Sequence, residues 1–181
     1  MPKTYTAAGT VAAGDVYTAA AHNIIATDVN NFIVPPMCRV RRATTQSITN
    51  STDTFVTFPI EDIDTDGMFT ATSDTITIQT EGVYQVSASI LFAANNTGAR
   101  IINIYKNPTS VSDFAAVLTS EWTNATQTYS TVMSASGISS FTAGQTVKIG
   151  VFQTSGGALN IGDTGFTSIT QLSVVWVGRT S

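Results

Sequence analysis

The chain has few residues of the kinds that build covalent or metal-held sites. Its 181 residues include one cysteine and one histidine. The single cysteine, Cys38, excludes an intrachain disulfide, and one cysteine with one histidine cannot supply the four ligands of a usual zinc site. Any Ser–His–Asp or Cys–His pair would need His22, and no nucleophile-elbow pattern surrounds it. We therefore expect no enzyme, with Cys38 as a small core or interface residue.

Charged residues are also scarce, at 11% of the chain against about 25% in typical globular proteins. The formal net charge is −4 and the pI is about 4.6, so the chain lacks the basic surface that neutralises nucleic-acid phosphates. The one basic cluster is Arg39, Arg41 and Arg42. Two interpretations stay open for it: solvated or ion-paired strand arginines, or contacts with an acidic neighbouring subunit.

Long apolar runs are missing too. No stretch has the length of a membrane-spanning helix, and no basic start leads into an apolar segment of the kind that directs secretion. We expect a soluble protein, made in a reducing compartment and without membrane contact.

Threonine, by contrast, is abundant, with thirty-one residues. It is β-branched and fits the half-buried face of a strand. A solvent face of Thr, Ser, Asn and Gln in place of Lys and Glu points to an all-β protein whose surface meets other protein surfaces.

The segment before residue 37 differs from the rest. Ala21, Ile25, Val29 and Phe32 recur at the spacing of one helix face. Thr18 can cap the first turn, and two consecutive prolines at 35 and 36 stop the helix. The pattern predicts a short amphipathic helix over 18–33 and a rigid linker.

From Met37 onward, short apolar–polar alternations are separated by turn residues. The clearest run carries Tyr84, Val86, Ala88, Ile90 and Phe92 on one face. The stretch 111–125 is ambiguous between a helical turn and an edge strand. Eight or more short strands in about 145 residues predict a β-sandwich of the jelly-roll type, with about ten strands after the N-terminal helix.

Several segments of this region carry a family resemblance. Gly-Met-Phe at 67–69, Ile-Thr-Ile at 76–78 and Glu-Gly-Val-Tyr-Gln-Val-Ser-Ala at 81–88 are followed by Phe-x-Ala-Gly-Gln-x-Val-x-Ile at 141–149 and a closing strand at 166–177. This order resembles the globular head of the complement first component, which shares the tumour necrosis factor jelly roll. The resemblance implies a three-fold trimer.

A second resemblance lies upstream. Ala-Gly-Asp-Val-Tyr-Thr-Ala-Ala-Ala-His-Asn at 13–23 is similar to the Gly-x-x-x-Thr-Ala-Ala-x-x-Asn opening of many tailed-bacteriophage structural proteins, where a turn-helix element precedes a virion-surface domain. The chain shows no collagen-like stalk, which argues against an animal secreted protein. We expect two parts: a virion-attachment segment at 1–36 and a trimerising jelly roll at 37–181, exposed on the virion surface after synthesis in the host cytoplasm.

Two roles fit such a protein. It could be a capsid decoration or head-fibre protein that binds the major capsid protein or another virion protein through residues 1–36. It could instead be a tail-associated receptor-binding protein that recognises a host glycan. For the attachment surface we predict Tyr17, Ala21, Ile25, Val29 and Phe32 as the residues that contact the partner, and for a glycan site the candidate is Trp122, because exposed aromatic rings stack on sugars.

One acidic segment remains, Glu-Asp-Ile-Asp-Thr-Asp-Gly at 61–67. Asp62, Asp64, Asp66 and the glycine match the start of a calcium loop. The twelfth position is Ser73 where the loop needs a bidentate glutamate. A solvated Asp-Gly turn between strands and a calcium site are both open, and we expect no other cofactor.

Overall fold

The computed structural model describes residues 18–125 and 129–180, apart from the side chains at positions 28 and 30–32. Helix α1 spans Ala19–Ile33. The Thr18 side-chain oxygen accepts a hydrogen bond from the amide of Ala21 at 3.2 Å, so Thr18 caps the helix as predicted, and the chain leaves helical geometry just before the two prolines. Tyr17 and the side chain of Phe32 lie outside the described residues.

Twelve strands follow in the described part of the chain. Their bounds are β1 Met37–Arg41, β2 Gln46–Ile48, β3 Thr54–Phe55, β4 Ile60–Asp64, β5 Ile76–Thr77, β6 Gly82–Phe92, β7 Ala99–Lys106, β8 Val117–Asn124, β9 Thr131–Phe141, β10 Thr146–Gln153, β11 Leu159–Ile161 and β12 Gln171–Gly178. A short 3₁₀ turn, Phe114–Ala116, precedes β8.

The strands form two antiparallel sheets. In the first sheet the order is β4–β1–β12–β6–β9, and β11 with β2 joins the end of β6. In the second sheet the order is β8–β7–β10, and both β3 and β5 pair with the free edge of β10. This arrangement confirms the predicted all-β jelly-roll sandwich.

The core lies between the sheets and follows the alternation of the longest strands. Tyr84, Val86, Ala88, Ile90 and Phe92 of β6 are all buried, as the sequence pattern predicts. Cys38 is also buried, which confirms its assignment as a small core residue. Burial raises the pKa of its thiol, and the nearby carboxylates of Asp64 and Glu61 add to the effect. Cys38 is therefore held as an unreactive thiol.

The connections define two ends of the sandwich. At one end, here the helix end, α1 leads into Met37, β7 finishes at Lys106 and β12 finishes at Gly178. At the opposite end, here the far end, lie the loops that follow β6, β8 and β10. No helix in the described ranges is long and apolar enough to cross a membrane.

Candidate binding surfaces

The acidic segment belongs to an edge strand. Residues 60–64 pair with β1, and the turn begins only after Asp64, with Gly67 at a φ of 69°. The acidic segment therefore divides in two: residues 61–64 belong to a strand, and the Asp-Gly bend follows at residues 65–67. Pairing with β1 holds these residues extended, so they do not wrap around a common centre.

The three aspartates of this segment have separate surroundings. Asp62 forms an ion pair with Arg41 at 2.7 Å and a longer one with Arg39 at 3.7 Å. Asp64 accepts hydrogen bonds from the backbone amides of Asp66 and Phe69 at 3.1 and 2.9 Å, which fixes the turn, and Asp66 is buried. In the described residues, no three His, Cys, Asp or Glu side chains form a group that could hold a metal. Calcium binding stays a prediction, without a preformed cluster.

The basic cluster has intrachain partners. Besides the two arginines that pair with Asp62, Arg42 donates to the carbonyl oxygens of Thr57 at 2.6 Å and Thr45 at 2.8 Å. The interpretation of ion-paired strand arginines is therefore confirmed for Arg39 and Arg41.

The outer face of the first sheet is largely uncharged. Strand register places three cross-strand rows on it, and they read Met37–Val175–Gln85–Ile138, Arg39–Ser173–Ser87–Ser136 and Arg41–Gln171–Ser89–Ser134. Charge occurs in these rows only on β1, where Arg39 and Arg41 both pair with Asp62. Four aliphatic side chains on this side of β9 and β12 remain well exposed: Val132 at 52%, Ile138 at 64%, Val175 at 38% and Val177 at 51%. We call this surface the smooth face.

Small side chains leave a depression in the smooth face. It has a volume of about 260 Å³ and is lined by Ser87, Ala88, Ser89, Ser134, Ala135, Ser136 and Gln171. Its lining carries hydroxyl and amide groups but no titratable group, so it offers no general acid, base or charged ligand contact.

The outer face of the second sheet carries aromatic side chains and is covered in its half toward the helix end. Gly150 of β10 leaves room for the ring of Tyr105, because a Cβ there would lie 2.6 Å from the ring. Tyr105 contacts Phe55 edge-on at 5.6 Å and donates from its hydroxyl to the carbonyl of Val111 at 2.8 Å. The segment between β7 and β8 is thereby tied down over this half.

The other half of this face is open. Here Trp122 of β8 is 59% exposed, and the register places it beside Ile101 of β7, which in turn pairs with Phe152 of β10. We call the row Trp122–Ile101–Phe152 the aromatic shelf. The sequence alone identifies Trp122 as an exposed candidate but not its two neighbours, since neighbours across strands depend on register.

The predicted attachment residues that the structure describes are accessible. Ile25 is 43% and Val29 50% exposed on α1, and Ala21 is partly exposed. His22 also lies exposed on α1, whereas Cys38 is buried in the core.

The fold is shared with known structures. The chain matches no protein-family model, and no curated protein matches it. Among solved structures it is similar to the globular domain of zebrafish complement 1qA, with 17% identity, a TM-score of 0.57 and coverage of 80% of this chain and 99% of that one. Murine APRIL gives 10% identity, a TM-score of 0.59 and coverage of 78% and 98%. Eiger TNF from S. frugiperda gives 9% identity, a TM-score of 0.57 and coverage of 81% and 96%. The protein thus has the jelly-roll fold of the complement globular head and the tumour necrosis factor proteins.

Proposed function

We propose that the protein is a homotrimeric, non-enzymatic structural protein of a tailed-bacteriophage virion, acting as a capsid decoration or head-fibre protein. The observation that carries the trimer is the smooth face. Exposed apolar patches with few charges mark protein–protein contacts, and the flat rows of Ser, Gln and Val side chains allow close approach of identical subunits. The jelly-roll similarity supports the same assembly.

The attachment function rests on the N-terminal part. The resemblance of residues 13–23 to phage structural proteins supports a virion partner such as the major capsid protein. Ile25, Val29 and Ile33 of α1 are exposed, so this helix has an apolar side available for a partner. Since α1 and the last strand end at the same end of the sandwich, attachment there leaves the far end directed away from the virion.

Light scattering of the purified chain tests the trimer. We expect three times the chain mass of 19.0 kDa, because obligate interfaces commonly bury about 2,000 Å² or more and persist at micromolar concentration. A stable monomer would contradict the proposal.

Deletion of residues 1–36 tests the attachment segment. The truncated chain should remain a folded trimer and lose binding to virions that lack the protein. A matched variant of the full chain, Phe114→Ala on the side of the sandwich, should bind such virions normally. Failure of the truncated chain to fold would instead assign the helix to the core.

A tail-associated receptor-binding function is the second candidate. The observation in its favour is the exposed Trp122 in the far half of the second sheet, the half directed away from α1. Virions that lack the protein distinguish the two functions. If the protein is a decoration protein, its absence should lower the resistance of the capsid to heat and leave adsorption unchanged. Normal heat resistance with lost adsorption would favour the receptor-binding function.

A further inference from the structure

The aromatic shelf has the shape of a ligand platform. Its three side chains lie side by side across β8, β7 and β10, and neighbouring strands are about 4.8 Å apart, so the row is about 10 Å long. Trp122 is mostly exposed, whereas Ile101 and Phe152 are half-buried. The result is an apolar strip that is most accessible at Trp122 and is about the length of two sugar rings.

Polar groups border this strip. Thr54 of β3 pairs with Val151, so Asp53, the residue just before β3, lies near Phe152 at this end of the row. In the described residues no hydrogen bond or ion pair engages the Asp53 carboxylate, and partial burial raises its pKa. Ser120 and Asn124, both exposed, lie two residues on either side of Trp122 and share its face of β8.

Among the described residues, the one basic side chain on this face of β7, β8 and β10 already has a partner. Lys148, the basic residue of β10 on the same face, pairs with Asp74 at 3.1 Å and lies over the Phe55 ring at 4.7 Å. A carboxylate acceptor without a nearby cation disfavours phosphate, sulfate or carboxylate ligands. The chemistry that fits is a ring with an apolar C–H side and hydroxyl donors on its edges, which describes a neutral sugar.

Hydrogen bonds from two buried side chains hold two loops at the far end of this sheet. The fully buried Arg100 donates to the carbonyls of Asn95, Thr97 and Ala99 at 3.2, 3.0 and 2.9 Å. The buried amide of Gln153 donates to the carbonyls of Ile48 and Gly157 at 3.0 and 2.9 Å. These bonds fix the loop before β7 and the loop after β10.

We propose that the aromatic shelf binds a neutral oligosaccharide, with Trp122 stacking on a sugar ring and Asp53 accepting hydrogen bonds from sugar hydroxyls at the other end of the row. The proposal gives a ligand class to the receptor-binding alternative and rests on it for its biological meaning. Its test uses the purified chain, so it fails or succeeds independently of trimer formation and virion attachment.

The chain contains a built-in reporter. It has two tryptophans, of which Trp176 is buried and Trp122 is exposed. Titration of the full chain with maltohexaose, cellohexaose, N-acetylchitohexaose and mannohexaose should shift the emission of Trp122 to shorter wavelength for at least one of them. Hexagalacturonic acid serves as the acidic comparison and should cause no shift.

Calorimetry with the hexasaccharide that binds then locates the site. Trp122→Ala should weaken affinity about tenfold or more through lost stacking, and Asp53→Asn about threefold to tenfold through a lost charged acceptor. Phe114→Ala is the matched control, because Phe114 has the same 59% exposure as Trp122 and precedes the same strand. This variant should bind the hexasaccharide with unchanged affinity. Unchanged binding by Trp122→Ala, preference for the acidic hexasaccharide, or no binding of any neutral one at millimolar concentration would overturn the proposal.

Discussion

The two outer faces of the sandwich arise from the same alternation of side chains and yet have different surfaces. The smooth face presents serines, Gln85 and short aliphatic side chains in level rows, with its charges confined to one edge. The outer face of the second sheet presents aromatic rings and is divided into a covered half around Tyr105 and the open aromatic shelf. The first surface suits a broad contact with an identical subunit, whereas the second suits a small ligand.

Close packing explains why only half of the second face is open. The ring of Tyr105 occupies the space above Gly150, and its hydroxyl holds the segment that follows β7. Asn103 donates to the same hydroxyl at 3.3 Å. Farther along the sheet, Ile101 and Phe152 stay partly accessible.

The largest effect is expected from a substitution that disrupts the smooth face. Ile138→Asp places a charge at an exposed aliphatic position in the row shared with Val175. In a trimer this carboxylate would be desolvated without a partner, which costs several kcal/mol. Light scattering should show the mass falling from three chains to one, with an unchanged β-sheet circular dichroism spectrum.

Phe114→Asp is the control for that substitution. Phe114 is as exposed as Ile138 to within a few percent, but it precedes β8 and lies off the smooth face. Its variant should keep the mass of the unmodified chain. If the mass changed in both variants, or in neither, the smooth face would not be the trimer contact that we predict.

The next effect concerns the covered half of the second face. Gly150→Ala would bring a methyl group to 2.6 Å from the Tyr105 ring, and such overpacking costs about 1–3 kcal/mol of unfolding free energy. Gly137→Ala on β9 is the matched change, since its methyl group would meet Leu118 at 3.3 Å, where a flexible side chain can yield. Urea unfolding should show a clear loss for the first variant and little for the second.

The fold could be predicted where side-chain alternation is regular. The stripe from Ala21 to Val29, the threonine cap and the two prolines predict α1, and the period of two in β6 predicts its buried face. The edge strands were harder to predict. None of the β8 residues is fully buried, so a buried–exposed alternation is absent from 117–124. β4 consists largely of acidic and exposed residues that also suit a turn.

The candidate sites depend on contacts that a linear pattern does not contain. Trp122 could be selected because it lay in an irregular stretch, but the shelf arises only when β8, β7 and β10 align. The burial of Arg100 was not predictable either, since the carbonyls that it satisfies belong to a loop whose course the sequence leaves open. In the acidic segment, strand pairing directs Asp62 toward Arg41, which a loop-based interpretation does not anticipate.

A smaller effect is expected at the charged edge of the smooth face. Asp62→Asn removes the ion pairs with Arg39 and Arg41, which are partly exposed, so the loss should be below about 1 kcal/mol. Thermal melts of the variant and of the unmodified protein measure this loss, and high salt should reduce the difference between their melting temperatures.

The same melts in calcium chloride and in chelator test the calcium prediction. Calcium binding to the folded chain would raise the melting temperature of the unmodified protein, and identical melting temperatures in the two conditions would rule it out.

The smallest expected effect is a pair of opposite changes in melting temperature when two aspartates near the outer face of the second sheet are substituted. Burial raises the pKa of Asp53 beside the open shelf, whereas hydrogen bonds from the amide and hydroxyl of Thr109, both at 2.9 Å, lower the pKa of Asp113 near the covered half. Because the pKa of Asp53 is raised in the folded chain, its contribution to stability is present in acid and is lost as pH rises through that pKa. Because the pKa of Asp113 is lowered, its contribution is present at neutral pH and is lost as pH falls.

Asp53→Asn should therefore slightly raise the melting temperature at pH 7, and Asp113→Asn should slightly lower it. Both differences should shrink as pH falls through the range in which aspartates protonate, and a series of melts from neutral to acid pH would show this. If both substitutions changed the melting temperature in the same direction at neutral pH, the two assignments would be contradicted, namely that Asp53 is desolvated beside the aromatic shelf and that Asp113 is stabilised by its hydrogen bonds.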